Sequence, residues 1–317
     1  MILVVGYDGA ELIDIACVTS SLDIANRIGA DPPYRVVLAS LGRHSITCDS
    51  GLRLPTEAAV ERFNAPLDTL LVSGGLGHER AAESPRLVGH VRRLAGLARR
   101  VASVCTGFTV LAEAGLLANR RATTHWMFAE RLAERYPEVL LDPRPIYVRD
   151  GNIATSGGVT SALDLTLSFI EEDHGPHLAR RVARGTVAYL QRPGGQPQRS
   201  MFVSGRAIED GLVRRVCDHI VSHPDGDLST AALARLVAVS ERHLSRRFRT
   251  HVGATPAQYV RRVRTEAAAH LLVSTALPLA AVARQCGLGS TETLRQAFRE
   301  HYATPPSRYR AEHLVAP

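Results

Sequence analysis

A cysteine placed where an apolar run gives way to a helix is a candidate nucleophile, and this chain has one. Arg100-Val-Ala-Ser-Val-Cys105 reads as a strand ending at Cys105, and Thr106-Gly-Phe-Thr-Val-Leu-Ala-Glu-Ala-Gly115 reads as the helix that follows. A thiol at such a turn lies at a helix N-terminus, where the backbone dipole favours thiolate. Gly74 and Gly75 end another apolar run and could offer backbone N–H groups beside the thiol. Asp14 opens a helix after the first apolar run, and parallel α/β sheets bind ligands at the carboxyl ends of their strands. Asp14, Gly74, Gly75, Cys105 and Thr106 are therefore a candidate effector pocket. Cys105, Asp14, Thr106 and His125 are the candidate catalytic set. No base is evident next to Cys105, and His125 reads better as a hydrogen-bonded histidine beside Trp126, so binding is favoured over turnover. Redox sensing through Cys105 ranks lower, because no partner cysteine is apparent.

A second set of residues could read nucleic acid. Ser240, Leu244, Phe248, Arg249, His251, Pro256 and Tyr259 recur as Ser290, Leu294, Phe298, Arg299, His301, Pro306 and Tyr309, at a constant offset of 50 residues. Constant offset means one supersecondary unit used twice. Each copy follows an Ala-rich helical stretch and a turn, the layout of a helix-turn-helix. Ser229 or Thr230 and Ser240 can cap the helices of the first unit. In the second, Pro278 suits a first helical turn and Gly287 a helix end. Leu244/Phe248 and Leu294/Phe298 are four apart and point to a core. Arg242, Ser245, Arg246 and Arg249 share the outward face of the first reading helix. Thr291, Glu292, Arg295, Gln296 and Arg299 face outward on the second.

Charge supports that reading. Residues 206–317 hold 16 Arg against 10 acids, and residues 1–205 hold 22 Arg against 21, so the net +7 sits almost wholly in the last third. A localised positive excess is the footprint expected for phosphate contact. The partner implied is double-stranded DNA, entered at adjacent major-groove segments one turn apart.

The elements that must position these residues divide in two. At 317 residues about two domains are expected. A Pro/Gly/Gln-rich stretch, Gln191 to Ser200, suggests a first domain over 1–190, a linker over 191–205 and a second domain over 206–317. Before the linker, strands at Ile2–Val5, Tyr34–Leu41, Thr69–Ser73 and Val101–Val104 alternate with helices such as Asp14–Ile28 and Pro85–Arg99. That pattern predicts a flavodoxin-like parallel sheet covered by helices, followed by an all-α domain with two helix-turn-helix units. The N-terminus lacks a targeting signal and no apolar run is long enough to cross a membrane. Five scattered cysteines without ligand spacing predict a reduced cytoplasmic protein with no metal or cofactor.

The carboxyl-terminal residues resemble the AraC-family DNA-binding domain over roughly 206–310. The resemblance rests on Gly287-Leu-Gly-Ser290, Leu294, Phe298-Arg-Glu-His-Tyr302 and Pro305-Pro-Ser-Arg-Tyr-Arg310. It implies two helix-turn-helix units joined by a long helix, with base-facing positions at Arg242, Ser245, Arg246, Thr291, Glu292, Arg295 and Gln296. Leu288 and Leu294 stand where that family usually has Phe, and Ala303 where it usually has Gly. Residues 1–190 resemble the PfpI-like, class I glutamine-amidotransferase-like superfamily. The matching segments are Gly9-Ala-Glu-Leu-Ile-Asp14, Leu71-Val-Ser-Gly-Gly75, Ser103-Val-Cys-Thr-Gly107, Ala122-Thr-Thr-His-Trp126 and Ser156-Gly-Gly-Val-Thr-Ser-Ala-Leu-Asp164. In that superfamily the cysteine is an elbow nucleophile hydrogen-bonded by an acid at the Asp14 position. Hydrolase and protease members have His after the cysteine, where this chain has Thr106. The isonitrile hydratase branch is similar in its Asp14, Cys105, Thr106 set. The two domains together resemble the GlxA type of transcription regulator. This implies sensing of a small, nitrogenous metabolite and dimerisation through the first domain. A cysteine-dependent hydratase or hydrolase with a DNA-binding tail is the alternative.

Overall fold

The computed structural model describes residues 1–188, 192, 194–195, 198, 210–302 and 304–313. It forms two compact units, Met1–Gln198 and Arg199–Pro317. The first unit runs past the expected boundary at 190. Arg192 binds Asp164, and the Gly194 carbonyl accepts from Tyr147 N–H at 3.3 Å. Most of the expected linker, 191–205, lies outside the described residues.

The first unit is built on a seven-stranded sheet. Its strands are β1 (Ile2–Val5), β2 (Val36–Ser40), β3 (Ala58–Ala59), β4 (Leu67–Val72), β5 (Ala98–Val104), β6 (Tyr147–Asp150) and β7 (Ile153–Ser156), in the order β6-β7-β5-β4-β1-β2-β3. All pair in parallel except the β6–β7 edge hairpin. The parallel strands are apolar on both sides, as burial on both faces requires. Leu3, Val5, Leu70, Val72 and Val101 face one core, with α3 (Pro85–Ala95) and α4 (Phe108–Glu113). Ile2, Val4, Leu71, Ala102 and Val104 face the other, with α1 (Leu12–Arg27), α6 (Thr160–His174) and α7 (Pro176–Gly185). Short helices α2 (His78–Ala82) and α5 (Ala129–Arg135) complete the unit.

The helix expected over Pro85–Arg99 ends at Ala95, because Ala98–Arg100 belong to β5. Gly96 caps the helix, and Arg100 anchors the strand that follows. Its guanidinium is buried, donates to Thr69 Oγ1, Asp68, Glu172 and Asp173, and lies 4.3 Å from the Phe169 ring centroid. One strand residue thus ties β4 and β5 to α6.

Register sets up the site. Val5 pairs with Val72, Val72 with Ser103, and Ser156 with Val104. The carboxyl ends of β1, β4, β5 and β7 are therefore level, and the loops leaving them converge.

The second unit is helical: α8 (Gly211–Ser222), α9 (Thr230–Leu236), α10 (Glu241–Val252), α11 (Pro256–Ser274), α12 (Leu279–Gln285), α13 (Thr291–Tyr302) and α14 (Pro306–His313). It has two apolar cores. Leu233, Leu244 and Phe248 share one with Tyr259, Val260 and Val263. Val282, Leu294 and Phe298 share the other with Ala268, Ala269 and Leu272. The α11 residues of both sets lie on one helix, which serves both cores. No helix among the described residues is long and apolar enough to cross a membrane.

Candidate functional site

Cys105 follows β5 in a left-handed backbone conformation (φ 53°), a geometry that costs a non-glycine residue of order 1–3 kcal/mol. Neighbouring glycines make room for it. A Cβ on Gly158 would stand 2.7 Å from Cys105 Cα and 2.8 Å from its Sγ. A Cβ on Gly74 would meet Asp14 Oδ2 at 2.7 Å and the Thr106 nitrogen at 2.8 Å. The turns after β4 and β7 thus close on the cysteine from two sides.

Asp14, in the first turn of α1, is fully buried. Its Oδ2 accepts from Gly74 N–H at 3.2 Å and its Oδ1 from Val159 N–H at 2.5 Å. Burial raises its pKa to about 7, although both N–H groups pull the other way. Burial, and then the Asp14 charge, push the Cys105 thiol up to about 12. The expected thiolate preference is overturned. The helix after Cys105 opens with a single 3₁₀ turn, and desolvation outweighs its dipole.

The expected amide donors are also occupied. Gly74 N–H serves Asp14, while Gly75 N–H donates to Thr106 Oγ1 at 2.9 Å. Thr106 returns the bond, its hydroxyl donating to Gly75 O at 2.8 Å. Thr106 is therefore a clamp between the turns after β4 and β5. The structure brings Asp14, Gly74, Gly75, Cys105 and Thr106 together. The His125 Nδ1 accepts from Met127 N–H at 3.4 Å, and its ring lies beside Trp126 and Phe128. Burial lowers its pKa.

Each helical unit of the second half follows its sequence closely. Ser229 Oγ accepts from Ala232 N–H, Ser240 Oγ from His243 N–H, and Ser290 Oγ from Thr293 N–H. Pro278 precedes the first turn of α12, and Gly287 follows the helix with φ +67°. Arg242, Arg246 and Arg249 are exposed on α10, with Ser245 half-buried. On α13, Glu292, Arg295, Gln296 and Arg299 are exposed and Thr291 is half-buried. Arg295 pairs with Glu292 at 3.3 Å on its own helix.

Residues 1–172 match the DJ-1/PfpI family, and residues 233–312 match a helix-turn-helix domain family. The chain belongs to the DJ-1/PfpI family. It carries that domain ahead of a helix-turn-helix domain of AraC type. It is 31% identical over 303 residues to the HTH-type transcriptional regulator CdhR of Pseudomonas aeruginosa, covering 96% of this chain and 89% of that one. It is 31% identical over 300 residues to the HTH-type transcriptional regulator GlxA of Rhizobium meliloti, covering 94% and 92%. A match to the isonitrile hydratase of Pseudomonas putida, at 38% identity, spans 43% of this chain and 58% of the enzyme. Among solved structures, a THiJ/PfpI family protein from Pseudomonas syringae aligns with TM-score 0.54 and 25% identity over 68% of this chain and 86% of that one.

Within this DJ-1/PfpI domain several site residues escaped sequence reasoning. Gly158 packs on the cysteine and Val159 holds Asp14. The adjacent glycines after the apolar run Ile153–Ser156 were the available signal. Tyr7 donates from its hydroxyl to Ser73 O at 2.9 Å, and buried His78 bonds Thr109 Oγ1 at 2.8 Å. In the helical unit, Arg264 donates to Pro224 O and Gly226 O, holding the loop before α9. A surface groove lined by Gly42, Arg43, Glu61 and Phe63, among others, lies at the β3 edge and shares no residue with the Cys105 site.

Proposed function

We propose that this protein is a sequence-specific transcription regulator whose DJ-1/PfpI domain senses a small nitrogenous metabolite. The single observation that carries the reading is the doubled unit. Two capped helices, α10 and α13, turn Leu244/Phe248 and Leu294/Phe298 into separate cores around α11 and leave arginines on their outer faces. Such helices fit adjacent major-groove segments about 34 Å apart. Arg242 and Arg246 present guanine-reading forks. Arg249 and Arg299 suit phosphates, and Thr291, Glu292, Arg295 and Gln296 form the second reading face.

Asp14, Gly74, Gly75, Cys105 and Thr106 form the effector pocket in this reading, and the first domain carries a homodimer contact in the cytoplasm. An effector changes DNA binding only if it prefers one arrangement of the chain over another. Selection of bound duplexes from a random pool by the purified chain tests the core claim. Enrichment of two base blocks one helical turn apart is expected. Absence of any sequence preference across physiological salt defeats it.

The partial likeness to isonitrile hydratase favours a second reading, Cys105-dependent catalysis. The occupied Gly74 and Gly75 amides and the raised thiol pKa weigh against it. Isonitrile turnover lost in Cys105→Ala would establish it.

A further inference from the structure

Gln198, the last residue of the first unit, is held as a ligand would be. Its Nε2 donates to Thr124 O at 2.7 Å, Pro145 O at 3.0 Å and Thr123 Oγ1 at 3.0 Å. Its Oε1 accepts from Trp126 N–H at 3.1 Å. Three acceptors face one end of the side chain and a donor faces the other, which fixes the orientation of the amide. The floor is Gly157, where a Cβ would stand 2.5 Å from Oε1 and 2.7 Å from Nε2. Thr123 and Thr124 are fully buried.

The seat adjoins the cysteine site. Thr124 holds the Gln198 amide with its carbonyl and donates from its hydroxyl to Cys105 O at 3.0 Å. Gly157 under the amide is followed by Gly158 against Cys105. None of this is needed to terminate a domain. A chain end is fixed well enough by Arg192 on Asp164 and by Gln198 N–H on Arg144 O.

The chemistry is selective. A primary carboxamide satisfies both ends of the seat. A carboxylate would set an oxygen anion against two carbonyl oxygens and a hydroxyl, and an alkyl group would leave the Trp126 N–H without its acceptor.

We propose that Thr123, Thr124, Trp126, Pro145 and Gly157 form a carboxamide-binding site that Gln198 occupies from within, and that a small ligand bearing a primary carboxamide competes for it. The inference rests on the effector-sensing reading and gives the effector a functional group. It also gives that effector a route outward, because the segment it displaces leads to the helix-turn-helix unit. An internal occupant lowers apparent affinity by the fraction of time the seat is filled.

Hydrogen exchange at the Trp126 amide of the full chain reads the seat directly. Gln198→Ala and Gln198→Glu are each expected to speed that exchange by about tenfold or more, with peptides from β4 unchanged as the check on folding. Propionamide at about 100 mM, suited to so small a fragment, is expected to restore protection in Gln198→Ala, and propionate is not. In the wild type the same propionamide is expected to act more weakly. Unchanged Trp126 exchange in both variants overturns the proposal. So does equal protection by propionamide and propionate, or protection by neither. DNA selection is scored separately: loss of DNA preference with the exchange pattern intact removes the regulator reading and leaves the carboxamide site standing.

Discussion

Gly158 and Cys105 touch across the gap between two strands: the glycine Cα lies where any side chain would strike the cysteine Cα and Sγ. Gly158 also has φ +87°, a region costly for other residues. Gly158→Ala is therefore expected to destabilise the first unit by about 2 kcal/mol or more. Urea unfolding followed by Trp126 fluorescence reads this unit alone, since Trp126 is the chain's one tryptophan. A change below 0.5 kcal/mol, near the noise of about that size for neutral substitutions, would contradict the packing.

Asp14 links stability to pH. Its folded pKa of about 7 exceeds the ordinary 3.8, so between those values the native chain keeps a proton that the unfolded chain has lost. Stability from this group is present at low pH, falls as pH rises through that window, and is flat above it. The loss is on the order of 4 kcal/mol in total. Asp14→Asn is expected to flatten the slope, so unfolding of the two proteins compared at pH 4 and pH 7.5 checks the sign.

Cys105 is expected to be a poor nucleophile. With its thiol pushed up to about 12, roughly a thousandfold less thiolate forms at pH 8 than for an ordinary cysteine. Alkylation by iodoacetamide, followed by mass spectrometry of the Cys105 peptide, is expected to be at least about a hundredfold slower in the native chain than after unfolding. Rapid native labelling would revive the redox and catalytic readings.

Arg246→Ala is expected to weaken binding to the selected duplex by about 1–3 kcal/mol if the side chain reads a base. Arg295→Ala is expected to cost less, because Arg295 must give up Glu292 to reach DNA. An equal loss on random duplexes would mark Arg246 as a phosphate contact instead. Filter binding at two salt concentrations separates the cases.

Arg100→Met removes the buried cation shared by Asp68, Glu172 and Asp173 and leaves them only the half-exposed Arg99, which pairs with all three, and Arg149 on Glu172. A cost of about 3 kcal/mol is expected, the low end for a broken buried pair because Asp68 and Glu172 reach solvent. Burial alone would raise the pKa of Asp173, but Arg100 foremost, with the Arg99 and Tyr34 hydrogen bonds, outweighs it and holds the carboxyl below its ordinary 3.8. That stabilisation is present above the ordinary value and is lost as pH falls through the depressed one. The difference between wild type and variant should therefore shrink between pH 5 and pH 2.

The helix-turn-helix half was legible because its determinants are local. Ser240 and Ser290 cap the helix each begins, and Leu244/Phe248 and Leu294/Phe298 need only helical spacing to share a face. The β1, β4 and β5 strands were legible as apolar runs. Val159 on Asp14 was not, since the two lie 145 positions apart and meet only once β1, β4, β5 and β7 are in register. The mutual hydrogen bonds between Thr106 and Gly75 were not legible either, since the two lie 31 positions apart on different turns. The helix expected to reach Arg99 ends at Ala95, and the partners that anchor Arg100 in its strand lie more than 30 positions away, beyond what local spacing shows.

Because α11 carries Val263 for one core and Ala268 for the next, the second reader is geared to the first by the pitch of a single rod. Adding or removing one residue between them would turn that reader by about 100° and slide it by about 1.5 Å. For a DNA site contacted by both, the interval between its base blocks is thus stored as a whole number of residues in a protein helix, and the chain there tolerates substitution far better than insertion.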